Sequence, residues 1–234
     1  MIKSLASIKN IKEASLIAGY NFDIIDIKNI DDGPLGYAGN EEVELISNKL
    51  NDRLLSVTAG NSDHPNKDII YERLEFLNSL KIDYIKIGIF NMNHLEMHSI
   101  FLKKAFNLNI KTVGVLFADN NIDINIIKKI CKLDYDGLMI DTIKKSSKST
   151  LDIMSDNLIN SFVSECHKIK KFCGLSGSMQ QNTIEYAMKF KSDFIGFRGA
   201  LCSHSSRDNI ESIQCQNIIK IIKNINQKMY QEAV

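Results

Sequence analysis

The strongest constraint on the fold is a regular alternation of short apolar runs, rich in β-branched residues, with amphipathic stretches of about 10 to 17 residues. Each apolar run predicts a strand, and there are eight: Ile2–Ile8, Phe22–Asn29, Leu54–Ala59, Tyr84–Ile89, Ile110–Ala118, Gly137–Thr142, Phe172–Ser176 and Phe194–Ala200. A helix is predicted after each strand, at Ile11–Gly19, Glu41–Leu50, Lys67–Leu80, Asn93–Asn107, Ile124–Lys132, Asn157–Lys171, Gln181–Phe190 and Asn209–Gln227.

Eight such units in 234 residues predict an α/β protein with a (β/α)8 TIM-barrel fold. Only two prolines occur, and no linker rich in Ser and Gly divides the chain, so we expect a single barrel domain over residues 1–234. An open, doubly wound sheet is the alternative. Against it, the first strand–helix junction, Ser7-Ile8-Lys9-Asn10, lacks a glycine-rich phosphate loop.

Composition narrows the classes of partner. The chain is 44% hydrophobic and 24% charged, which is typical of globular proteins and argues against disorder. Lys and Arg number 29 and Asp and Glu 28, so net charge favours neither nucleic acid nor an anionic membrane as partner. We therefore expect a small ligand. A monomer and a homo-oligomer are both open alternatives at this point.

The cysteines and the apolar runs indicate a cellular compartment. Five cysteines are scattered without C-x-x-C spacing, which argues against a disulfide framework and against a zinc site. Neither a secretory signal nor a membrane-length apolar run is apparent. We predict a cytoplasmic protein that uses no cofactor and no metal.

Charged residues mark the ends of three even-numbered strands, where a barrel carries its reactive groups. Asp26 and Lys28 share one face of the second strand, because side chains alternate along a strand. Lys86 interrupts the apolar fourth strand, and Asp141 ends the sixth.

A lysine in a strand could simply extend outward beside a helix or form a structural ion pair. Two lysines and two aspartates on alternate strands instead favour the hypothesis that these residues are catalytic. A desolvated lysine close to another cation has a lowered pKa, so a neutral amine can attack a carbonyl and form a Schiff base. The pattern therefore indicates aldol-type chemistry on a small carbonyl compound.

The last two strand ends predict a phosphate site. A glycine- and serine-containing loop follows the seventh strand, and the eighth ends in an arginine and a glycine, positions where barrels often hold phosphate. An ordinary turn is the alternative for the first loop. The candidate contacts are Ser176, Gly177, Ser178, Arg198, Gly199 and, further along, Arg207.

Several of these segments together resemble the (5-formylfuran-3-yl)methyl phosphate synthases, also called 4-(hydroxymethyl)-2-furancarboxaldehyde phosphate synthases, of methanofuran biosynthesis. The resemblance covers nearly the whole chain. It is carried by Asp23–Asn29, Gly33–Gly36, Tyr84–Gly88, Asp141-Thr142 with Lys145, Gly177-Ser178 and Gly196–Ala200.

The resemblance implies a lyase that condenses two molecules of glyceraldehyde 3-phosphate into a phosphorylated furan aldehyde, with loss of one phosphate and two waters. It places the Schiff base on Lys28 and proton transfer on Lys86. Asp26, Asp141 and Lys145, which is adjacent to Lys144, would support them. Two alternatives remain open: another aldolase or isomerase acting on triose or sugar phosphates, and a catalytically silent barrel that binds a phosphorylated metabolite or a protein.

Overall fold

The computed structural model describes residues 1–144, 148–203 and 207–232. Eight parallel strands pair in sequence order and close into a barrel, which confirms the predicted TIM-barrel fold. The strands are β1 (Lys3–Ile8), β2 (Ile24–Ile27), β3 (Leu55–Thr58), β4 (Tyr84–Gly88), β5 (Lys111–Phe117), β6 (Gly137–Asp141), β7 (Phe172–Leu175) and β8 (Phe194–Phe197).

Helices cover the outside of the barrel. They are α1 (Ile11–Ile17), α2 (Asn40–Lys49), α3 (Lys67–Ser79), α4 (Leu95–Asn107), α5 (Ile124–Cys131), α6 (Thr150–Ile153), α7 (Asp156–Lys168), α8 (Ile184–Met188) and α9 (Ser212–Glu232). Within the three described ranges, no helix combines the length and apolar composition needed to cross a bilayer.

Three local differences from the predicted elements occur near the C-terminal ends of strands. β8 stops at Phe197, because Gly199–Leu201 forms a 3-10 turn. The predicted helix Gln181–Phe190 is a 3-10 turn over Gln181–Thr183 followed by the short α8. The short α6 was not predicted, and its start is fixed by a capping box between Ser149 and Asp152.

The barrel contains two separate apolar layers. Outward-facing strand residues pack under the helices in one large cluster, which includes Ile25, Val57 and Leu138. A smaller cluster that includes Leu5, Ile24 and Phe194 lies inside the barrel. Nearer the C-terminal ends, the inward positions are polar on most strands, with Phe117 of β5 as an apolar exception, and this end forms the mouth of the barrel.

An aspartate precedes every even-numbered strand and binds the preceding strand, an internal repeat that we did not detect in the sequence. Asp23, Asp83, Asp136 and Asp193 are 60, 53 and 57 residues apart. Their carboxylates accept backbone N–H bonds from Ser4, Leu55, Thr112 and Cys173 at 2.7, 2.9, 2.6 and 2.7 Å respectively. Each of these aspartate clamps sets the start of one strand against its neighbour.

The clamps also explain where charge enters the barrel. Side chains alternate along a strand, so positions three and five residues after a clamp lie on the same face. The third position is Asp26 in β2 and Lys86 in β4, and the fifth is Lys28 after β2 and Asp141 in β6. All four candidate residues therefore occupy equivalent inward positions of the repeat.

Candidate active site

A buried ion pair between β2 and β4 lies at the centre of the candidate site. Lys86 Nζ lies 2.6 Å from Asp26 Oδ2, and the two side chains are 2% and 0% exposed. Register places Ser7 and Ser56 beside Asp26 on the two neighbouring strands. Their hydroxyls donate to its carboxylate at 2.9 and 2.6 Å. Asp26 is thus bound by three donors from three strands.

The protonation of Asp26 follows from these neighbours. Burial acts to raise its pKa, but the charges of Lys86 and Lys28 and the hydrogen bonds from Lys86 and Ser56 hold it below the ordinary value. Asp26 is therefore a carboxylate at neutral pH, and it provides a fixed negative charge beneath the mouth.

Lys28 lies just after β2, closer to the mouth, and is also buried. Burial lowers its pKa to about 8; Lys86 contributes in the same direction, whereas Asp141 and Asp26 oppose the shift. Lys28 lies two residues beyond the inward-facing Asp26, so alternation directs its side chain into the barrel. At pH 7 an amine with this pKa is neutral in about one-tenth of molecules.

The loop after β2 folds over Lys28. Pro34 O accepts a hydrogen bond from Lys28 Nζ at 3.3 Å, while Gly36 O accepts from Thr58 Oγ1 at 2.7 Å. A side chain at Gly36 would collide with the backbone oxygens of Asn29 and Asp32, both 2.5 Å from the position of a Cβ. Glycine is therefore required where this loop turns back to place Pro34 above the amine.

Asp141, Ser176 and Arg207 form the opposite wall. Ser176 Oγ donates to Asp141 Oδ2 at 3.5 Å, and Thr142 N donates to Asp141 Oδ1 at 2.7 Å. Burial lowers the pKa of Arg207, and the charge of Asp141 opposes that shift. The side chain of Arg207 runs beside Gly199, where an added Cβ would lie 3.7 Å from its Nε. The remaining catalytic candidate, Lys145, falls outside the described residues.

The loop after β7 turns through two residues in the left-handed region of the backbone. Gly177 and Ser178 both have positive φ, 87° and 52°. A Cβ at Gly177 would collide with Thr150 Oγ1, so the loop packs tightly against α6. The helix predicted after this loop begins as a 3-10 turn over Gln181–Thr183 and continues only as the short α8. Any anion binding here would depend on loop N–H groups and Arg207 rather than on a helix dipole.

Arg198 does not join the phosphate candidates, which corrects our expectation for this residue. Its guanidinium is buried against Glu13 of α1, at 2.5 and 3.0 Å, and also donates to Ser7 O, Arg207 O and Asp208 O. The side chain turns toward α1 because a buried carboxylate lies there, and its donors are used in holding the C-terminal end of β1 and the segment before α9. Arg198 therefore supports the wall that carries Arg207.

Sequence reasoning missed four groups of this site. Ser7, Ser56 and Glu13 bind the charged residues, and Pro34 contributes a carbonyl. Serine inside a strand is a weak signal on its own. The repeat of aspartate clamps would have aligned the even strands and shown which positions of their neighbours face Asp26.

The arrangement can support amine chemistry on an anionic substrate. A lysine of lowered pKa faces an ion pair of a second lysine with a carboxylate, and an arginine lies at the mouth beside a glycine. Nucleophilic and acid–base catalysis on an anionic compound require groups of these types.

Solved structures share the fold at low sequence identity. Phosphoribosyl anthranilate isomerase from Thermus thermophilus aligns with a TM-score of 0.69 and 8% identity over 96% of this chain and 100% of its own. The 3-hexulose-6-phosphate synthase from Salmonella typhimurium aligns with a TM-score of 0.68 and 13% identity over 96% of this chain and 100% of its own. These similarities support the barrel.

Sequence comparison is more specific. The (5-formylfuran-3-yl)methyl phosphate synthase of Methanococcus maripaludis strain C5 is 28% identical, covering 94% of this chain and 98% of its own length. The protein of the same name from Methanocaldococcus jannaschii is 28% identical over 89% of this chain and 92% of its own length. The model of the 4-HFC-P synthase family matches residues 4–222. Since that match spans nearly the whole chain, the protein belongs to the 4-HFC-P synthase family.

Proposed function

We propose that this protein is a carbon–oxygen lyase that condenses two molecules of glyceraldehyde 3-phosphate into (5-formylfuran-3-yl)methyl phosphate, with release of one phosphate and two waters. The names of its relatives support the product. The resemblance described above supports the substrate and a place in methanofuran biosynthesis. The observation that carries the chemistry is Lys28, a buried amine with a pKa of about 8 facing the ion pair of Lys86 with Asp26.

Lys28 acts as the nucleophile. Its neutral amine attacks the aldehyde carbon of one triose, and loss of water from the adduct gives a protonated Schiff base. That cation draws electrons from the adjacent carbon, whose proton can then leave. The resulting enamine carbon is the nucleophile needed to form a carbon–carbon bond with the second triose.

Lys86 moves protons, and Asp26 sets its position. The carboxylate holds the Lys86 ammonium at 2.6 Å while two serine hydroxyls fix the carboxylate itself. General acid–base catalysis of this kind contributes about 10²–10⁴-fold. Asp141 is hydrogen-bonded to Ser176 on the opposite wall. It accepts protons, or hydrogen bonds from substrate hydroxyls, during the eliminations.

The phosphate groups are attracted by Arg207 together with the loops at Gly177, Ser178 and Gly199. Support comes from the half-buried guanidinium next to Gly199 and from the positive-φ backbone of the β7 loop. Lys145 is expected to contribute from the loop after β6, as the resemblance implies.

Incubation of the purified protein with glyceraldehyde 3-phosphate tests the proposal. We expect inorganic phosphate and the ultraviolet absorbance of a conjugated furan aldehyde to appear together, one phosphate per furan. A borohydride-stable adduct without furan would instead favour another aldolase of triose or sugar phosphates. Absence of both adduct and furan would indicate a barrel that binds a phosphorylated metabolite or a protein without this chemistry.

A further inference from the structure

A second cluster of reactive side chains lies at the opposite end of the barrel from the mouth. His167 comes from the last turn of α7, Cys173 from the start of β7, and Asp193 immediately precedes β8. One ligand atom from each lies within 4.8 Å of the other two. His167 Nε2 is 3.0 Å from Asp193 Oδ2 and 3.7 Å from Cys173 Sγ.

The separations of His167 Nε2 from the other two atoms are close to those between ligands of one small cation. Zinc binds thiolate sulfur at about 2.3 Å and imidazole nitrogen or carboxylate oxygen at about 2.0–2.2 Å, usually in a tetrahedron. Ligand atoms on such a tetrahedron are therefore about 3 to 4 Å apart. The combination of thiolate, imidazole and carboxylate suits Zn²⁺ rather than Mg²⁺ or Ca²⁺, which prefer oxygen ligands.

Comparison with the other aspartate clamps sets this one apart. At β1 and β5, the clamped residue adds a hydroxyl to the carboxylate, from Ser4 at 2.8 Å and Thr112 at 3.1 Å. At β7, the same position carries the Cys173 thiol, and α7 adds His167. The backbone bond from Cys173 N to Asp193 Oδ2 holds the carboxylate in place, as the outer partners of a metal ligand do.

Exposure of the three ligands differs in a way that leaves room for solvent. Cys173 is fully buried, whereas the His167 and Asp193 side chains are 42% and 43% exposed. A cation bound between them would thus be held against the barrel on the thiolate side and open to water on the other.

We propose that His167, Cys173 and Asp193 bind one Zn²⁺, with water as the fourth ligand. The Cys173 thiol loses its proton to solvent when the metal binds. The ion joins the end of α7 to the starts of β7 and β8, far from the proposed catalytic mouth. This inference departs from the expectation drawn from cysteine spacing, because the three ligands approach one another only when the barrel closes.

Cobalt titration of the full-length, metal-stripped and reduced protein tests this site. We expect a thiolate-to-cobalt charge-transfer band and visible bands of a tetrahedral complex, both saturating at one equivalent, and stoichiometric Zn²⁺ should abolish them. Cys173→Ser should remove the charge-transfer band. Cys215→Ser, which changes a buried cysteine in α9, is the matched control and should leave it intact.

His167→Gln keeps the test informative if Cys173→Ser does not fold, because this residue is partly exposed on a helix end. Loss of an outer partner alone weakens metal binding about 10- to 100-fold, so loss of a direct ligand should weaken cobalt binding at least tenfold. Three results would overturn the proposal: no thiolate band in the unmodified protein, a band that persists in Cys173→Ser, or unchanged affinity in His167→Gln.

Discussion

Lys86 Nζ and Asp26 Oδ2 are 2.6 Å apart inside the barrel, where both side chains are almost completely shielded from solvent. Two opposite charges at this depth stabilise each other, but each would be costly alone. The pair also determines the charge beneath Lys28, since Asp26 stays ionised and Lys86 adds a nearby positive charge. Stability and reactivity at the mouth therefore depend on the same contact.

Loss of one partner of this ion pair should destabilise the fold more than replacement of both partners by apolar residues. Asp26→Ala leaves the Lys86 ammonium buried without its carboxylate, and we expect a loss of about 3–5 kcal/mol in the free energy of unfolding. The double variant Asp26→Leu with Lys86→Met should recover most of that stability and remain inactive. Urea denaturation measures both, and Ser15→Ala on the surface of α1 serves as a control. Equal stability of the single and double variants would contradict the pairing.

Borohydride trapping distinguishes the two lysines. Reduction in the presence of glyceraldehyde 3-phosphate should add the substrate mass to a peptide that contains Lys28. Lys28→Arg should abolish the adduct, because a guanidinium stays protonated. Lys86→Arg should slow turnover about 10²–10⁴-fold while some adduct still forms. Mass spectrometry of the digested protein reads the site, and a label on Lys86 would reverse our assignment.

The rate of Schiff-base formation should rise with pH. Only the neutral amine attacks a carbonyl, and Lys28 has a pKa of about 8. In single-turnover trapping, we expect the rate to increase about tenfold per pH unit below pH 8 and to level off above it. Lys86→Met removes a charge that lowers this pKa, so the profile should move to higher pH. A rate that is flat between pH 6 and about 8 would disagree with a lysine nucleophile of this pKa.

The buried Lys28 should lower the free energy of unfolding at neutral pH. Burial lowers its pKa from 10.5 to about 8, so below pH 8 the native state holds a proton that it binds more weakly than the unfolded chain does. Lys28→Met should therefore raise the free energy of unfolding at pH 7 by roughly 1–3 kcal/mol and abolish the adduct. Between about pH 8 and 10.5 the native state of the unmodified protein deprotonates first and gains stability, so the variant's advantage should shrink. Thermal denaturation across this pH range measures the difference, and an advantage independent of pH would exclude charge burial as its cause.

The same substitution should affect stability at Arg198 and substrate binding at Arg207. Arg198→Gln leaves Glu13 buried without its ion pair, and we expect a destabilisation of about 3–5 kcal/mol. Arg207→Gln should leave the fold nearly unchanged and raise KM for the phosphorylated triose. Thermal denaturation and steady-state kinetics on the two proteins separate these effects. An unchanged KM in Arg207→Gln would remove it from the phosphate site.

Much of the fold was readable from local patterns. Runs of β-branched residues at regular intervals predicted all eight strands. The largest error at a strand end is at β8, where the 3-10 turn Gly199–Leu201 replaces the last predicted residues, and β2 is two residues shorter than predicted at each end. The period of two placed Asp26 with Lys28 on one face of β2, because alternation depends only on the chain itself. The barrel prediction also located Lys86 and Asp141 on even-numbered strands, near the ends where reactive groups are expected.

Contacts between residues far apart in the chain could not be predicted from local sequence patterns. Arg198 looked like a phosphate contact from its strand end, yet it binds Glu13, 185 residues earlier, because β8 closes the barrel against β1. Ser7 and Ser56 reach Asp26 only through the register of three strands. His167, Cys173 and Asp193 likewise meet at the far end of the barrel. Alternation along a strand is a local property of the backbone, whereas register and closure depend on the packing of the whole barrel, and these set which charged side chains become partners.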